Sequence, residues 1–257
     1  MKKYFLIAQF LCVVVVSSFA QQWAQVGAVG DWKNTIDVVS MNGSFYSLEA
    51  DGTLFKTDKN GTFNQIGERG FFENADFLVA LDGELWTIEG GSLYRSNVKS
   101  LVWERVGKEG DWANTVAMVG LNGKLYTIET DGTLYETYKN GTWRQVGGAG
   151  EFGNVFMLEA MDNHLWTVEN GTLYKNSVSS MTWEQVGAVA DWEHTVAMVA
   201  DGSYLWSIES DGTLFRTDKS GRFEKFGERG LLSEVSMIVA LDKVLYAVEN
   251  GTLYKKK

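Results

Sequence analysis

A period of 40 residues governs the chain from Trp23 to its end. An aromatic residue followed by glycine four positions later recurs six times, and so does an aromatic residue three positions before a glutamate. The first aromatic set is Trp23, Phe63, Trp103, Trp143, Trp183 and Phe223, and the glutamates are Glu49, Glu89, Glu129, Glu169, Glu209 and Glu249. Six copies in register, without an insertion, predict one domain built from six equivalent structural units.

Each copy has the pattern of four short β-strands joined by tight turns. In the third copy the predicted strands are 103–107, 116–121, 124–129 and 133–138, and the turns carry Asn122-Gly123, Asp131-Gly132 and Asn140-Gly141. Asn-Gly and Asp-Gly between β-rich runs are strong hairpin signals. Four up-and-down strands per unit predict an all-β fold, a six-bladed β-propeller of four-stranded antiparallel blades, with no helix in the mature chain.

The phase of the repeat predicts how the ring closes. Segment 23–27 stands alone before the first full copy, and the last copy ends after Thr252-Leu253-Tyr254 without the strand that follows in every other copy. If the N-terminal strand joins the last blade, the ring closes and no sheet edge is left at the termini. The predicted innermost strands also carry a small residue where six strands converge on one axis: Ser40, Ala80, Gly120, Ala160, Ala200 and Ala240.

A second period groups the six copies into three pairs of 80 residues. The odd copies carry Asp31-Trp32, Asp111-Trp112 and Asp191-Trp192, whereas the even copies carry Phe71-Phe72, Glu151-Phe152 and Leu231-Leu232. The turn after the glutamate is also one residue shorter in the even copies, as at Asn170-Gly171. A pseudo-threefold ring of paired blades is expected.

The first twenty residues have the features of a secretory signal peptide. Lys2 and Lys3 precede an apolar run, and Ser18-Phe19-Ala20 forms a small-x-small exit. We expect cleavage before Gln21, a single propeller domain over 21–257, and a secreted or extracytoplasmic location. The only cysteine, Cys12, would be removed, so the mature chain would be held together by burial without disulfides.

The net charge of the mature chain limits the classes of partner that it is expected to bind. Without Lys2 and Lys3 it has 21 basic and 33 acidic residues, a net charge of about −12. Nucleic acids and anionic membranes attract basic surfaces, so neither is an expected partner. No run after residue 20 approaches the length of a membrane span, so membrane insertion is not expected.

The repeat resembles that of the tectonin and tachylectin-type propellers. The resemblance lies in the Trp-x-x-Val-Gly-like first segment, in a strand such as Lys124-Leu125-Tyr126-Thr127-Ile128, and in Gly132-Thr133-Leu134-Tyr135. It covers the whole mature chain, although the 40-residue length and the alternation of two blade types depart from the usual pattern. The resemblance implies a carbohydrate-binding protein, a lectin.

Catalytic chemistry has few candidate residues. The only histidines are His164, in a turn between the first and second strands of a blade, and His194, in a crossing between blades. They are expected on opposite faces, where they cannot cooperate in a nucleophilic or zinc site. Glu49 and its five equivalents are expected to be structural acceptors for loop amides. We therefore predict no catalytic residue, no metal site and no cofactor, while a glycosidase with two facing carboxylates stays open.

The Asp-Trp pairs are the candidate binding residues. The crossing between blades and the turn after the second strand should emerge on one face, placing Asp31, Trp32, Asn34, Glu49 and Asp51 together. The predicted carbohydrate-binding set is Asp31, Trp32, Asn34, Asp111, Trp112, Asn114, Asp191, Trp192 and His194. An aromatic plate with polar neighbours suits a pyranose.

The alternative for the tryptophans of these pairs is an apolar wedge between blades, because position 32 is apolar in every copy. Aromatic residues equivalent to Trp23, together with Trp86, Trp166 and Trp206, are expected in the core. The overall prediction is a multivalent lectin that recognises surface glycans. An exported protein-interaction propeller or a glycan-cleaving enzyme are the alternatives.

Overall fold

The computed structural model describes residues 22–97, 100 and 102–257, and all its regular elements are β-strands. Twenty-four strands form six separate antiparallel sheets of four. The predicted six-bladed β-propeller is therefore confirmed. The predicted signal peptide, 1–20, and Cys12 lie outside the described residues, and the cleavage and export that they imply stay predictions.

The strands follow one another from the inside of each blade to the outside. Blade 1 contains β2 (Thr35–Met41), β3 (Ser44–Glu49), β4 (Leu54–Asp58) and β5 (Phe63–Ile66). Blade 2 contains β6 (Ala75–Leu81), β7 (Glu84–Glu89), β8 (Ser92–Asn97) and β9 (Trp103–Val106). Blade 3 contains β10 (Thr115–Leu121), β11 (Lys124–Glu129), β12 (Leu134–Tyr138) and β13 (Trp143–Val146).

The second half of the ring repeats this order. Blade 4 contains β14 (Val155–Met161), β15 (His164–Glu169), β16 (Thr172–Ser177) and β17 (Thr182–Val186). Blade 5 contains β18 (Thr195–Ala200), β19 (Tyr204–Glu209), β20 (Leu214–Asp218) and β21 (Phe223–Lys225). Blade 6 contains β22 (Val235–Leu241), β23 (Val244–Glu249), β24 (Thr252–Lys256) and, as its outermost strand, β1 (Trp23–Val26).

Ring closure takes place as the phase of the repeat predicts. β1 pairs antiparallel with β24, with Trp23 opposite Lys256 and Val26 opposite Leu253. The Lys257 amide adds a hydrogen bond of 2.9 Å to the Gln22 carbonyl. The two ends of the described chain thus complete one sheet, which removes the edge that an open array of blades would expose.

The hairpin turns explain the glycine and asparagine pattern. Asn42 (φ 52°) and Gly43 (φ 73°) both adopt positive φ, as do Asn170 (φ 47°) and Gly171 (φ 72°). Two successive residues with positive φ define the type I′ turn, whose twist matches that of the strands it joins. Position 61 requires glycine for a different reason, because a Cβ there would lie 2.5 Å from the backbone nitrogen of Gly27 in blade 6. That close approach ties blade 1 to blade 6.

The interfaces between blades are of two kinds, in agreement with the pseudo-threefold pattern. We call the interfaces 1/2, 3/4 and 5/6 closed, because the outer-strand tryptophan of the even blade packs into them. The ring centroids of Phe72 and Trp103 are 4.5 Å apart, and those of Phe152 and Trp183 are 4.6 Å apart. Trp23 and Leu232 share the equivalent cluster between blades 5 and 6.

We call the interfaces 6/1, 2/3 and 4/5 open. Their inner space is filled by the buried side chains of Trp32, Trp112 and Trp192, which are 5%, 3% and 3% exposed. The outer-strand aromatic rings of the odd blades remain 42–50% exposed; they are Phe63, Trp143 and Phe223. The prediction that all equivalents of Trp23 are core residues is therefore wrong at these three positions, because a tryptophan from the crossing already occupies the space. The core prediction is confirmed for Trp86, Trp166 and Trp206.

The innermost strands surround a central channel of about 490 Å³. The predicted small residues, Ser40, Ala80, Gly120, Ala160, Ala200 and Ala240, all line it. Two acidic side chains lie on its wall, Asp37 and Glu159. Asp37 Oδ2 accepts a hydrogen bond of 2.7 Å from the Leu78 amide, and Glu159 Oε2 accepts one of 3.3 Å from the Ala200 amide, so each carboxyl group links neighbouring blades.

Candidate functional site

Each open interface leaves a groove on the flank of its odd blade. The grooves measure about 640 Å³ at blade 1, 260 Å³ at blade 3 and 450 Å³ at blade 5, and we name them groove 1, groove 3 and groove 5. Groove 1 is lined by Asp31, Asn34, Glu49, Asp51, Phe63 and Arg69 among others. Groove 3 is lined by Asp111, Asn114, Glu129, Asp131, Thr137 and Trp143 among others. Groove 5 is lined by Asp191, His194, Glu209, Asp211, Phe215 and Arg229 among others.

The crossing between blades and the turn after the second strand meet as predicted. The Ala50 amide donates to the Asn34 carbonyl over 2.8 Å. The same bond recurs from Thr130 to Asn114 and from Ser210 to His194, both at 2.7 Å. These bonds bring the crossing residues beside the carboxylates of the turn three times around the ring. Asp31, Trp32 and Asn34 line groove 1, Asp111, Trp112 and Asn114 line groove 3, and Asp191 and His194 line groove 5.

The tryptophans of the Asp-Trp pairs are packed as wedges. The Trp32 amide donates to the Gly251 carbonyl of the preceding blade over 2.9 Å, and its ring packs edge-on against Phe45, with centroids 6.1 Å apart. Trp192 is held in the same way by Gly171, at 2.8 Å. Because these side chains are buried, the protein covers their faces. A stacking surface for a ligand has to come from another ring.

That ring comes from the outer strand. Trp143 packs edge-to-face on Tyr135, with centroids 5.2 Å apart, and its other surface is open to solvent. Phe63 on Phe55, at 5.7 Å, and Phe223 on Phe215, at 6.5 Å, repeat the pair. These rings are not predicted as site residues from the sequence, because the position is aromatic in all six copies. The alternation of Trp with Phe or Leu at the wedge position was the available signal.

The aspartates of the crossing loops have different partners. Asp31 Oδ2 accepts from the Ala28 amide at 2.9 Å, and Asp191 Oδ2 accepts from the Ala188 amide at 2.8 Å, so both stabilise their own loops. Asp111 Oδ2 instead accepts a hydrogen bond of 3.1 Å from the indole Nε1 of Trp143. In groove 3 the carboxylate therefore orients the exposed ring.

The repeated glutamates are held as hydrogen-bond acceptors. In the odd blades a threonine hydroxyl donates to them: Thr35 to Glu49 and Thr115 to Glu129, both at 2.7 Å, with the same bond in blade 5. In the even blades a loop amide donates, as from Glu234 to Glu249 at 3.0 Å. The predicted loop-amide donors are thus confirmed in the even blades and replaced by a hydroxyl in the odd ones. Burial raises the pKa of Glu49, Glu129 and Glu209 above the usual range.

The turn aspartates differ between grooves. Arg69 Nε lies 3.1 Å from Asp51 Oδ2 in groove 1, and Arg229 Nε lies 2.7 Å from Asp211 Oδ2 in groove 5. Hydrogen bonds from Thr53, with a smaller contribution from Arg69, lower the pKa of Asp51. The equivalent arginine position in groove 3 is Ala149, and among the described residues Asp131 forms no ion pair.

Buried hydroxyl groups lie opposite the aromatic residues on the paired strands, as Thr137 does opposite Trp143. Thr137, which lines groove 3, is 1% exposed, and its Oγ1 has no hydrogen-bond partner in the part of the chain that the structure describes. Ser207 Oγ and Thr217 Oγ1 of blade 5 are in the same condition. Such groups carry a desolvation cost that a bound polar ligand can relieve.

The histidines lie at opposite ends of their blades. His164 begins β15 next to the turn with Asp162, whose carbonyl lies 2.6 Å from His164 Nδ1, whereas His194 precedes β18 in groove 5. Within 22–97, 100 and 102–257, no three His, Cys, Asp or Glu side chains are placed to hold a metal ion together. Over the same ranges, no apolar helix of membrane-spanning length is found.

Neither a protein-family model nor a curated protein sequence matches the chain. Solved structures match its fold. Regucalcin, a calcium-binding protein from Agrobacterium tumefaciens, is 12% identical with a TM-score of 0.65, over 90% of this chain and 93% of that one. A YCF48 structure with bound D1 peptide is 15% identical with a TM-score of 0.58, over 92% of this chain and 85% of that one.

PorZ, a surface component of the type-IX secretion system of Porphyromonas gingivalis, is 14% identical with a TM-score of 0.62. The match covers 90% of this chain, which spans about 37% of PorZ. At these identities the likeness concerns the fold alone. It extends over propellers of diverse types and does not single out the tectonin family.

Proposed function

We propose that the mature chain is an exported, non-enzymatic lectin that binds glycans in grooves 1, 3 and 5. The observation that carries this proposal is an outer-strand aromatic ring, 42–50% exposed, at every open interface: Phe63 and Trp143 line grooves 1 and 3 beside carboxylates and an asparagine, and Phe223 packs on Phe215, which lines groove 5 beside carboxylates and His194. A pyranose presents an apolar C–H face to such a ring and hydroxyl groups to acceptors around it. The tectonin-like repeat points to the same class of ligand.

Groove 3 illustrates the chemistry. Trp143 supplies the ring, Asp111 fixes its orientation, and Asn114 and Asp131 line the same groove. Among the described residues, the Thr137 hydroxyl has its donor and acceptor capacity unused. A sugar that enters would satisfy that hydroxyl while covering the exposed indole, so its polar and apolar surfaces would both be matched.

The threefold repetition favours binding over catalysis. Three similar grooves around one ring suit a surface that displays many copies of a glycan, because linked weak sites gain avidity without new contacts. A catalytic centre needs one asymmetric arrangement of acid and base, and the two histidines, at opposite ends of neighbouring blades, do not form one together. The proposal requires no cofactor.

A glycan array with the mature protein tests this function. We expect binding by the wild type and a loss of at least about tenfold in apparent affinity when Phe63, Trp143 and Phe223 are all replaced by alanine, since stacking and avidity are lost together. Phe71→Ala is the matched control, because Phe71 is 54% exposed but lines no groove, and the ring of Phe72 on which it packs lines none either. Unchanged binding by the triple variant contradicts the proposal, and turnover of glycoside substrates replaces it with a glycan-cleaving activity.

A protein-interaction platform is the second candidate, and a separate surface favours it. Ile36, Val116 and Val196 are 40–48% exposed at equivalent positions near the start of the innermost strands, and Val196 lines the central channel. Exposed β-branched residues around an opening suit an apolar partner segment. The similar YCF48 propeller was solved with a peptide. A folded wild type that binds no glycan on the array favours this candidate.

A further inference from the structure

We propose that groove 3 is the site for a sugar bearing a free, protonated amino group, whereas grooves 1 and 5 take neutral sugars. The inference rests on the proposed function, since it names the ligand class of one of its three grooves. Three features of groove 3 carry it: uncompensated negative charge, an oriented aromatic pair and a buried hydroxyl without a partner.

The charge of groove 3 is the first feature. Asp111, Glu129 and Asp131 line it, and no lysine or arginine of the described residues does. Grooves 1 and 5 have an arginine, Arg69 or Arg229, at 2.7–3.1 Å from the turn aspartate. Because the equivalent position is Ala149 in groove 3, Asp131 remains available to a ligand cation. A charge-assisted hydrogen bond from an ammonium group to a carboxylate is stronger than a neutral one.

The aromatic pair is the second feature. The Trp143 and Tyr135 rings are perpendicular, with an interplanar angle of 90° and centroids 5.2 Å apart. Two rings at this angle form a corner, and the faces of Trp and Tyr rings attract cations. Grooves 1 and 5 have phenylalanines at both positions, which attract cations less strongly than tryptophan. The bond from Trp143 Nε1 to Asp111 holds the indole in place.

The third feature is the Thr137 hydroxyl. It lines groove 3, is 1% exposed and has no hydrogen-bond partner among the described residues. Threonine can accept a hydrogen bond from an ammonium group or donate one to a sugar hydroxyl. The groove thus offers to a single amino sugar a cation-attracting corner, an unsatisfied hydroxyl, and the Asp131 carboxylate, which accepts a hydrogen bond from the Thr133 amide but forms no ion pair among the described residues. At about 260 Å³ it is also the smallest of the three grooves, which suits one residue of a chain.

Calorimetric titration with two tetrasaccharides tests the inference: the β-1,4-linked glucosamine tetramer with free amines, and its fully N-acetylated counterpart. We expect the amine form to bind one site at least about tenfold more tightly than any site binds the acetylated form. Ala149→Arg introduces into groove 3 the arginine that grooves 1 and 5 contain, and it should abolish that preference. Asp131→Asn should reduce it without adding bulk.

Groove 1 provides the matched control. Arg69→Ala removes the arginine from groove 1 and should add a second, weaker site for the amine tetramer, while the acetylated tetramer binds as before. Equal affinity for both tetramers, or a preference that survives both Ala149→Arg and Asp131→Asn in folded protein, overturns the inference. Neutral-glycan binding that depends on Phe63 and Phe223 would then still support the proposed function. If the triple alanine variant keeps its glycan binding, the proposed function itself fails.

Discussion

At the closed interfaces the outer-strand aromatic side chain packs against the neighbouring blade, whereas at the open interfaces the side chain of the same repeat position stands half-exposed. Trp103 and Trp183 illustrate the first case, and Trp143 illustrates the second. The wedge residue accounts for the difference, because a tryptophan from the crossing fills an open interface and leaves the outer ring at its rim. A single repeat position thus contributes to stability in one blade and to a groove in the next.

The wedge tryptophans should give the largest effect of any substitution at an open interface. Trp112 is 3% exposed and packs in the core between blades 2 and 3. Trp112→Ala should lower the free energy of unfolding by about 3–5 kcal/mol, through lost burial and the cavity left behind. Urea denaturation measures this loss, and Phe152→Ala at a closed interface should cost a similar amount. A loss below about 1 kcal/mol for Trp112→Ala would show that the open interfaces do not depend on their wedges.

One closed and one open interface each contain a carboxyl group of the central channel, so the two interfaces can be compared by how their stability depends on pH. Asp37 links blades 1 and 2, and desolvation raises its pKa to about 6. Glu159 links blades 4 and 5, and desolvation, with a smaller repulsion from Asp37, raises its pKa to about 8. In the native state both groups keep their protons at pH values where the unfolded chain has lost them. The contribution of these two groups to stability is therefore fully present below about pH 4, and it is lost as the pH rises from there to 6 for Asp37 and to 8 for Glu159.

Replacing the carboxyl groups by amides should remove this decline. Glu159→Gln should raise the free energy of unfolding at pH 9 by on the order of 3 kcal/mol and leave it nearly unchanged at pH 4, with a smaller gain for Asp37→Asn. Thermal unfolding between pH 4 and pH 9 provides the measurement. Parallel pH profiles for the wild type and both variants would contradict the pKa difference between the two interfaces.

The outer-strand position gives the most direct comparison and the smallest effect. Trp183 contacts Phe152 at a closed interface, and Trp143 is 48% exposed at an open one. Trp183→Ala should cost about 2 kcal/mol of unfolding free energy, and Trp143→Ala less than about 1 kcal/mol, in line with the area that each buries. Chemical denaturation of the two variants side by side measures the difference. Equal losses would mean that the two kinds of interface are energetically the same.

Much of the fold could be predicted because the same pattern of strands and turns occurs in six copies of the repeat. The turns with Asn42 and Asn122 place their residues at positive φ as hairpins require, and the N-terminal segment supplied the strand missing from the last copy. The candidate site was predicted only in part. The crossing loops and turn carboxylates meet as expected, but the exposed ring belongs to Trp143 and its equivalents, not to Trp112.

Period, turn residues and the position of the ends are local properties, and the sequence by itself determined from them the number of blades, their four strands and the closure of the ring. Which aromatic ring is buried depends on the volume available between two blades that are 40 residues apart in the chain. That volume is shared by a wedge from one segment and an outer strand from another. Only the packing of the six blades against one another therefore decided that Trp32 fills an interface while Phe63 borders a groove.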